Sequence, residues 1–334
     1  MSAIPDSEEP GAATVAKAGS RAGGAAGTLG RRFALLPANL RGVAWVLAGS
    51  LGFSIMAVLI KLLGRTLDPF QIVLFRTAVG LIVLLPLVAR AGVASLRTTA
   101  PLLHVGRAMA GLTAMFCGFY AFTHLPLATA TAVSFAKPLF MILVAFLALG
   151  EVVRWRRWTA TVVGFGGVLI MLRPGAGPFD PAMLVALMQA AAIAVAVAFV
   201  KKFPAEERHL TILFWFAVVS TTVALAPAIA VWRWPDAQGW ALGVGVGVVG
   251  VASQACIVRG YRIGEATALS PFDYSRLIFA TLAGLVIFAE VPDLWTFAGA
   301  AVIVGSTLYI ARREARLARA PAPPPRLPPP AEVG

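Results

Sequence analysis

The chain has 334 residues, 59% of them apolar and 13% charged, with two cysteines and a formal charge of +13 at neutral pH. That balance excludes an ordinary water-soluble domain, in which about a quarter of residues are charged. The positive charge does not mark a nucleic-acid binder either, because no basic motif is interleaved with aromatics and the Arg and Lys residues flank long apolar runs.

In chain order, residues 1–40 begin acidic and turn Ala/Gly-rich, with Arg31 and Arg32 late. No apolar core precedes a cleavage site, so this stretch reads as a disordered cytoplasmic tail and not as a signal peptide. Ten apolar runs follow, at about 42–63, 70–89, 102–123, 127–149, 158–172, 181–200, 210–232, 237–258, 267–289 and 294–311. Their length suits α-helices crossing a hydrocarbon core of roughly 30 Å, the fifth being short. They do not alternate as membrane β-strands would. The predicted fold is an all-α integral membrane protein with ten transmembrane helices. Residues 313–334 turn basic and then Pro-rich, a second cytoplasmic tail of polyproline character.

A shift of 139 residues aligns the chain with itself: Cys117 falls on Cys256, Gly111 on Gly250, Glu151 on Glu290, Leu74-Phe75 on Leu213-Phe214, and Lys137 on Arg276. Each unit, 41–174 and 175–312, holds five predicted helices. An odd number forces the second unit to cross the bilayer in the opposite sense. Inverted repeats of this kind predict a carrier that handles its solute near the midplane between the units. With the N-terminus inside, Arg90, Arg97, Arg154, Arg156, Arg157, Lys201, Lys202, Arg259, Arg262 and Arg312 fall on the cytoplasmic side. Only Arg65, Arg173 and Arg233 fall opposite. The positive-inside rule therefore puts both termini in the cytoplasm.

Charges in mid-membrane cost about 2.5–3.5 kcal/mol each on insertion scales, so each needs a reason. Lys137 is central in the fourth run and Arg276 in the ninth, about 15 Å from either end, too deep to snorkel easily. Ser134 shares a helical face with Lys137, and Asp273 shares one with Arg276. Two inward-facing cations would attract an anionic solute group, with Ser134, Phe135, Asp273 and Tyr274 beside them. The competing reading is a structural Asp273–Arg276 ion pair, which leaves Lys137 without an acid. Tyr120 and Gln254 are further candidates for solute contact, and Phe135 reads more readily as core packing. Arg76 and Arg107 lie near opposite mouths and serve either cavities or headgroups. Lys61 reads as a snorkelling lysine. Glu151 and Glu290 close the fourth and ninth helices as helix ends or as gate partners of a nearby Arg. Pro138 and Pro271 weaken the backbone beside the charges.

The Phe75-Arg76 pair, the Gly150-Glu151 and Ala289-Glu290 helix ends, and the stretch from Arg107 through Tyr120, Leu125-Pro126-Leu127-Ala128 and Pro138-Leu139-Phe140 together resemble the EamA-type permeases of the drug/metabolite transporter superfamily. The resemblance covers about residues 42–312. It implies a secondary active transporter of the cytoplasmic membrane, working by alternating access, with its cavity between the halves. Related members move amino acids, sugars, nucleotide-like metabolites, vitamins or drugs. Lys137 departs from the uncharged residue more usual before Pro-Leu-Phe. The run from Pro271 to Arg276 is similar to a branch associated with S-adenosylmethionine or riboflavin uptake.

The expected partners are the lipid bilayer and a small organic solute bearing an anionic or zwitterionic group and an apolar or ring portion. A coupling proton, an exchanged solute and a homodimer are left open. No cofactor or metal is expected, since His104, His124 and His209 are scattered without a Cys/His or acidic cluster. The same scarcity argues against an enzyme. A non-transporting receptor or scaffold is the alternative, and the short loops speak against it.

Overall fold

The computed structural model describes residues 37–92, 96–150, 155–172, 180–204 and 207–318, and within them only helices. The first repeat comprises α1 (Ala38–Leu63), α2 (Pro69–Ala91), α3 (Pro101–His124), α4 (Leu127–Ser134), α5 (Lys137–Leu149) and α6 (Trp155–Leu172). The second comprises α7 (Pro181–Lys201), α8 (His209–Ala230), α9 (Ala237–Ile263), α10 (Ala266–Asp273), α11 (Ser275–Phe288) and α12 (Leu294–Ala318). Eight stretches are long and apolar enough to span a membrane, α4–α5 and α10–α11 each counting as one. The shorter apolar stretches Trp158–Leu172 and Leu294–Ile310 supply the fifth and tenth crossings. Ten crossings return the chain to the face on which it began.

The packing obeys the duplication. Helix α1 lies along α9 as α7 lies along α3, and α1 meets α11 as α7 meets α5. Helices α2 and α8, which are each other's counterparts, pair directly, as do α6 and α12. At the α6–α12 crossing Gly164 faces Ser306 while Gly167 faces Ile303. Because Gly164 corresponds to Ile303 and Gly167 to Ser306, each contact is the image of the other, as a two-fold axis requires. At the α1–α9 crossing Ile257 fills the space left by Gly49, and at the α3–α7 crossing Gln189 fills the space left by Gly118. The knob has changed helix while the spacing is kept. Small residues at crossings allow the backbone approach on which helix association in lipid depends.

Helix starts differ between the two faces. On the face opposite the termini, Asp68 accepts from the Phe70 amide at 2.9 Å, Asp180 from Ala182 at 2.8 Å, Asp236 from Gly239 at 2.7 Å and Asp293 from Thr296 at 2.8 Å. These carboxylates cap α2, α7, α9 and α12, satisfying amides that have no partner inside the helix and meeting the positive end of its dipole. On the terminal face α1, α8 and α10 start without a side-chain cap. Acidic caps thus gather on the face that the basic residues avoid.

The fourth and ninth crossings are broken. Residues Phe135 and Ala136 leave the helix between α4 and α5, bridged only by tight turns in which Phe135 N–H donates to Ala132 O and Ala136 N–H to Val133 O. Pro138, in the first turn of α5, has no amide proton with which to continue the ladder. Helix α10 likewise stops at Asp273, and Tyr274 separates it from α11. Lys137 therefore opens a new helix and does not continue the face of Ser134, a correction to the single-helix expectation. Arg276 likewise stands in the first turn of α11, directly after Ser275.

Candidate solute-binding site

The two breaks face each other. The Phe135 and Tyr274 rings meet edge to face with centroids 4.9 Å apart. These residues are counterparts under the 139-residue shift, and counterparts that touch must lie on the pseudo-two-fold axis. Halfway along two crossings that each span the membrane, the axis passes through the bilayer near its midplane. Lys137 and Arg276 stand two residues beyond the rings, and each is close enough to Asp273 and to the other to feel its charge.

No salt-bridge contact joins Asp273 to either cation among the described residues. The Asp273–Arg276 pair entertained from sequence is therefore not closed. Arg276 instead lies over the Phe53 ring of α1, 5.2 Å from its centroid, while its carbonyl accepts from the Ser54 hydroxyl at 3.2 Å. Lys137 is partly buried and makes no ion pair among the described residues. Two cations and one carboxylate sharing a membrane interior without direct pairing leave hydrogen-bonding capacity for a charged guest.

The other sequence candidates fall as follows. The Ser134 hydroxyl donates to its own Thr131 carbonyl at 2.6 Å, so it faces the site only as an acceptor. Tyr274 is directed at the Thr307 hydroxyl of α12. Tyr120 is exposed at the end of α3, stacked on His124 at 3.8 Å, and Gln254 is exposed on α9. Arg76 lies across Gly250, next to Met56, where any β-carbon at position 250 would collide with it. Arg107 covers the Phe216 ring at 4.6 Å, and its Nε and Nη1 are buried without a partner. Glu290 pairs with Lys61, not with an Arg, and Lys61 is therefore no free snorkelling lysine. Glu151 lies outside the described residues, as do residues 1–36 and 319–334 of the expected tails and the junction at 174/175 between the two expected units; the tail bounds are corrected in that 38–40 open α1 and 313–318 extend α12. No group of acids, histidines and cysteines in the described residues could hold a metal.

An EamA-like transporter family model matches residues 40–173 and again 180–312. The chain belongs to the EamA-like transporter family. Among its relatives, a Rickettsia prowazekii (strain Madrid E) protein described as an S-adenosylmethionine uptake transporter is 36% identical over 275 residues, covering 82% of this chain and 94% of its own. A pseudopaline exporter of Pseudomonas aeruginosa (strain UCBPP-PA14) is 32% identical over 81% of this chain and 96% of its own. A Vibrio cholerae riboflavin transporter is 30% identical over 84% and 96%. A crystal structure of a protein 23% identical in sequence aligns with a TM-score of 0.54 over 84% of this chain and 99% of its own, a likeness of fold. This EamA-like protein is thus a multi-pass transporter of the bacterial inner membrane that moves a small molecule across the bilayer, and not an enzyme.

Several residues beside this candidate site escaped the sequence. Tyr261, at the end of α9, feels the charge of Asp273 and adjoins Tyr274. Ser275, between Tyr274 and Arg276, carries a buried hydroxyl without a partner. Phe53 and Ser54 come from α1, more than 200 positions away in sequence from Arg276. On the terminal face, His104 Nε2 contacts both Thr98 Oγ1 and Glu207 Oε1 at 3.0 Å, beneath the Phe203 ring. This cluster ties the segment before α3 to the segment before α8.

Proposed function

We propose that this transporter carries a zwitterionic organic solute with a flat ring, S-adenosylmethionine being the leading candidate, and that both termini face the cytoplasm. The observation that carries the reading is the meeting of Lys137, Asp273 and Arg276 beside the Phe135–Tyr274 pair, where two half-helices break. A carboxylate would engage Lys137 and Arg276 through charge-assisted hydrogen bonds. An ammonium or sulfonium would take Asp273 and the faces of Tyr274 and Tyr261. A purine would lie against Phe53, Phe135 and Tyr274, with the Ser275 hydroxyl available to a ring nitrogen or ribose oxygen. The names of the Rickettsia relatives support this cargo, since S-adenosylmethionine joins an amino-acid head, a sulfonium and an adenine ring. Alternating access would rock the repeats about the axis marked by Phe135 and Tyr274.

The test is uptake of labelled S-adenosylmethionine into proteoliposomes, with unlabelled riboflavin and amino acids as competitors. Saturable uptake displaced by S-adenosylmethionine and lost in Arg276→Ala is expected. Displacement by riboflavin alone, or undiminished uptake in Arg276→Ala, refutes the assignment.

A further inference from the structure

Five helices begin on the face opposite the termini: α2, α4, α7, α9 and α12. Four carry their own aspartate cap. Helix α4 cannot, because its cap position is Pro126, which has no side-chain acceptor. Its first amide, Leu127 N–H, donates instead to Glu290 Oε2 at 2.8 Å, a carboxylate from the other repeat. The second oxygen, Oε1, pairs with Lys61 of α1. Lys61 Nζ in turn donates to Leu125 O at 2.7 Å, a carbonyl released where α3 ends. The side chains of Lys61 and Glu290 are only 14% and 18% exposed, and Lys61 and Arg65 both lie over the Phe288 ring, at 5.4 and 5.5 Å.

We infer that Glu290 and Lys61 form an inter-repeat latch that closes the mouth opposite the termini and positions α4, and with it Phe135 and Lys137. Helix α4 is eight residues long, about 12 Å, so a displacement at its capped end reaches the site undamped. Glu290 follows Ala289, which stands at φ 53°, ψ 31°, a left-handed conformation disfavoured for alanine. The Glu290 amide closes onto Gly284 O at 3.0 Å across that turn, which aims the carboxylate back at Leu127. A disfavoured backbone persists where its surroundings hold it, and here they hold a carboxylate onto a foreign helix. Opening this mouth separates Glu290 from Leu127 and Lys61 and leaves α4 uncapped. The closed state is thereby tied to the geometry of the site.

Hydrogen–deuterium exchange of the purified full-length protein tests the latch without any solute. In Glu290→Ala, amides of the 125–134 segment should exchange about tenfold faster while α6 and α12 keep wild-type rates. Lys61→Arg should retain protection. The exchanged pair Lys61→Glu with Glu290→Lys restores opposite charges but not protection, because an ammonium cannot accept from Leu127 N–H. Wild-type exchange at 125–134 in Glu290→Ala, or full protection in the exchanged pair, overturns the inference. If Glu290→Ala unfolds, seen as faster exchange in α6 and α12 too, Glu290→Met decides, because it keeps the side-chain length but has no oxygen to accept from Leu127 N–H: about fivefold faster exchange confined to 125–134 supports the latch, and wild-type rates there overturn it.

A second readout rests on the carrier reading above. In oriented vesicles, Glu290→Gln should lower the half-saturating S-adenosylmethionine concentration severalfold from the latched face and raise it from the other. A purely structural role would depress the maximal rate from both faces alike, and that result overturns the assignment of the mouth. Absence of flux in the wild type refutes the cargo alone, since the exchange experiment uses no solute.

Discussion

Replacing Lys137 by methionine should make the protein more stable and a poorer binder at once. Lys137 sits in mid-membrane without a salt-bridge contact among the described residues, feeling Arg276 as well as Asp273. A lysine there costs about 2.5–3.5 kcal/mol on insertion scales, and methionine removes most of that cost with a side chain of similar length. Methionine also abolishes one charge-assisted hydrogen bond to an anionic solute, worth about 1.5–3 kcal/mol, or roughly ten- to hundred-fold in affinity. The assay is paired: thermal unfolding in nanodiscs without solute, and S-adenosylmethionine binding by calorimetry on the same preparation. A rise in Tm with the affinity loss is the expected result. A lower Tm with unchanged affinity would mean that Lys137 is a structural cation, and the site would have to be sought elsewhere.

Three further substitutions probe the frame around the site. Ala289→Gly relieves the left-handed alanine and should stabilise the protein by up to about 1 kcal/mol, read as a higher Tm; a lower one would deny the strain. Gly167→Ala places a β-carbon 2.8 Å from the Gly299 carbonyl oxygen, so the α6–α12 crossing must separate, at about 1–3 kcal/mol, seen as a drop in Tm. Glu207→Ala leaves His104 Nε2 with Thr98 alone and should cost about 1–3 kcal/mol. It should also change the fluorescence of Trp215, whose indole N–H donates to Leu96 O at 3.1 Å within the same cluster.

The ten crossings, their duplication and the two deep cations were readable in the sequence because each depends on local composition or on self-comparison. Pro138 signalled the break in the fourth crossing, though not that Phe135 and Ala136 would leave the helix ahead of it. The equivalence of Phe135 and Tyr274 was also visible. That they touch was not, since an internal shift identifies counterparts without saying which of them meet on the axis. Lys61 and Glu290 were assigned separately, one to the headgroups and the other to a helix end or a gate pair with an arginine, because no local pattern links residues in different repeats. The missing cap of α4 is the signal that would have joined them: Pro126 leaves an amide that some distant carboxylate must accept. Tyr261 and Phe53 reach the site only through the α1–α9 packing, which the glycines of both helices permit without specifying. Gln254 and Tyr120 looked polar or aromatic enough for a cavity, but their rotation about α9 and α3 exposes them, and rotation is set by tertiary packing.

The most direct measurement is a structure of the protein reconstituted with S-adenosylmethionine. Density for the solute between the breaks of the fourth and ninth crossings, its carboxylate on Lys137 and Arg276 and its ring against Phe135 or Tyr274, is the predicted result. Solute bound away from both breaks, with Phe135 still against Tyr274 and lipid around Lys137, would contradict the account.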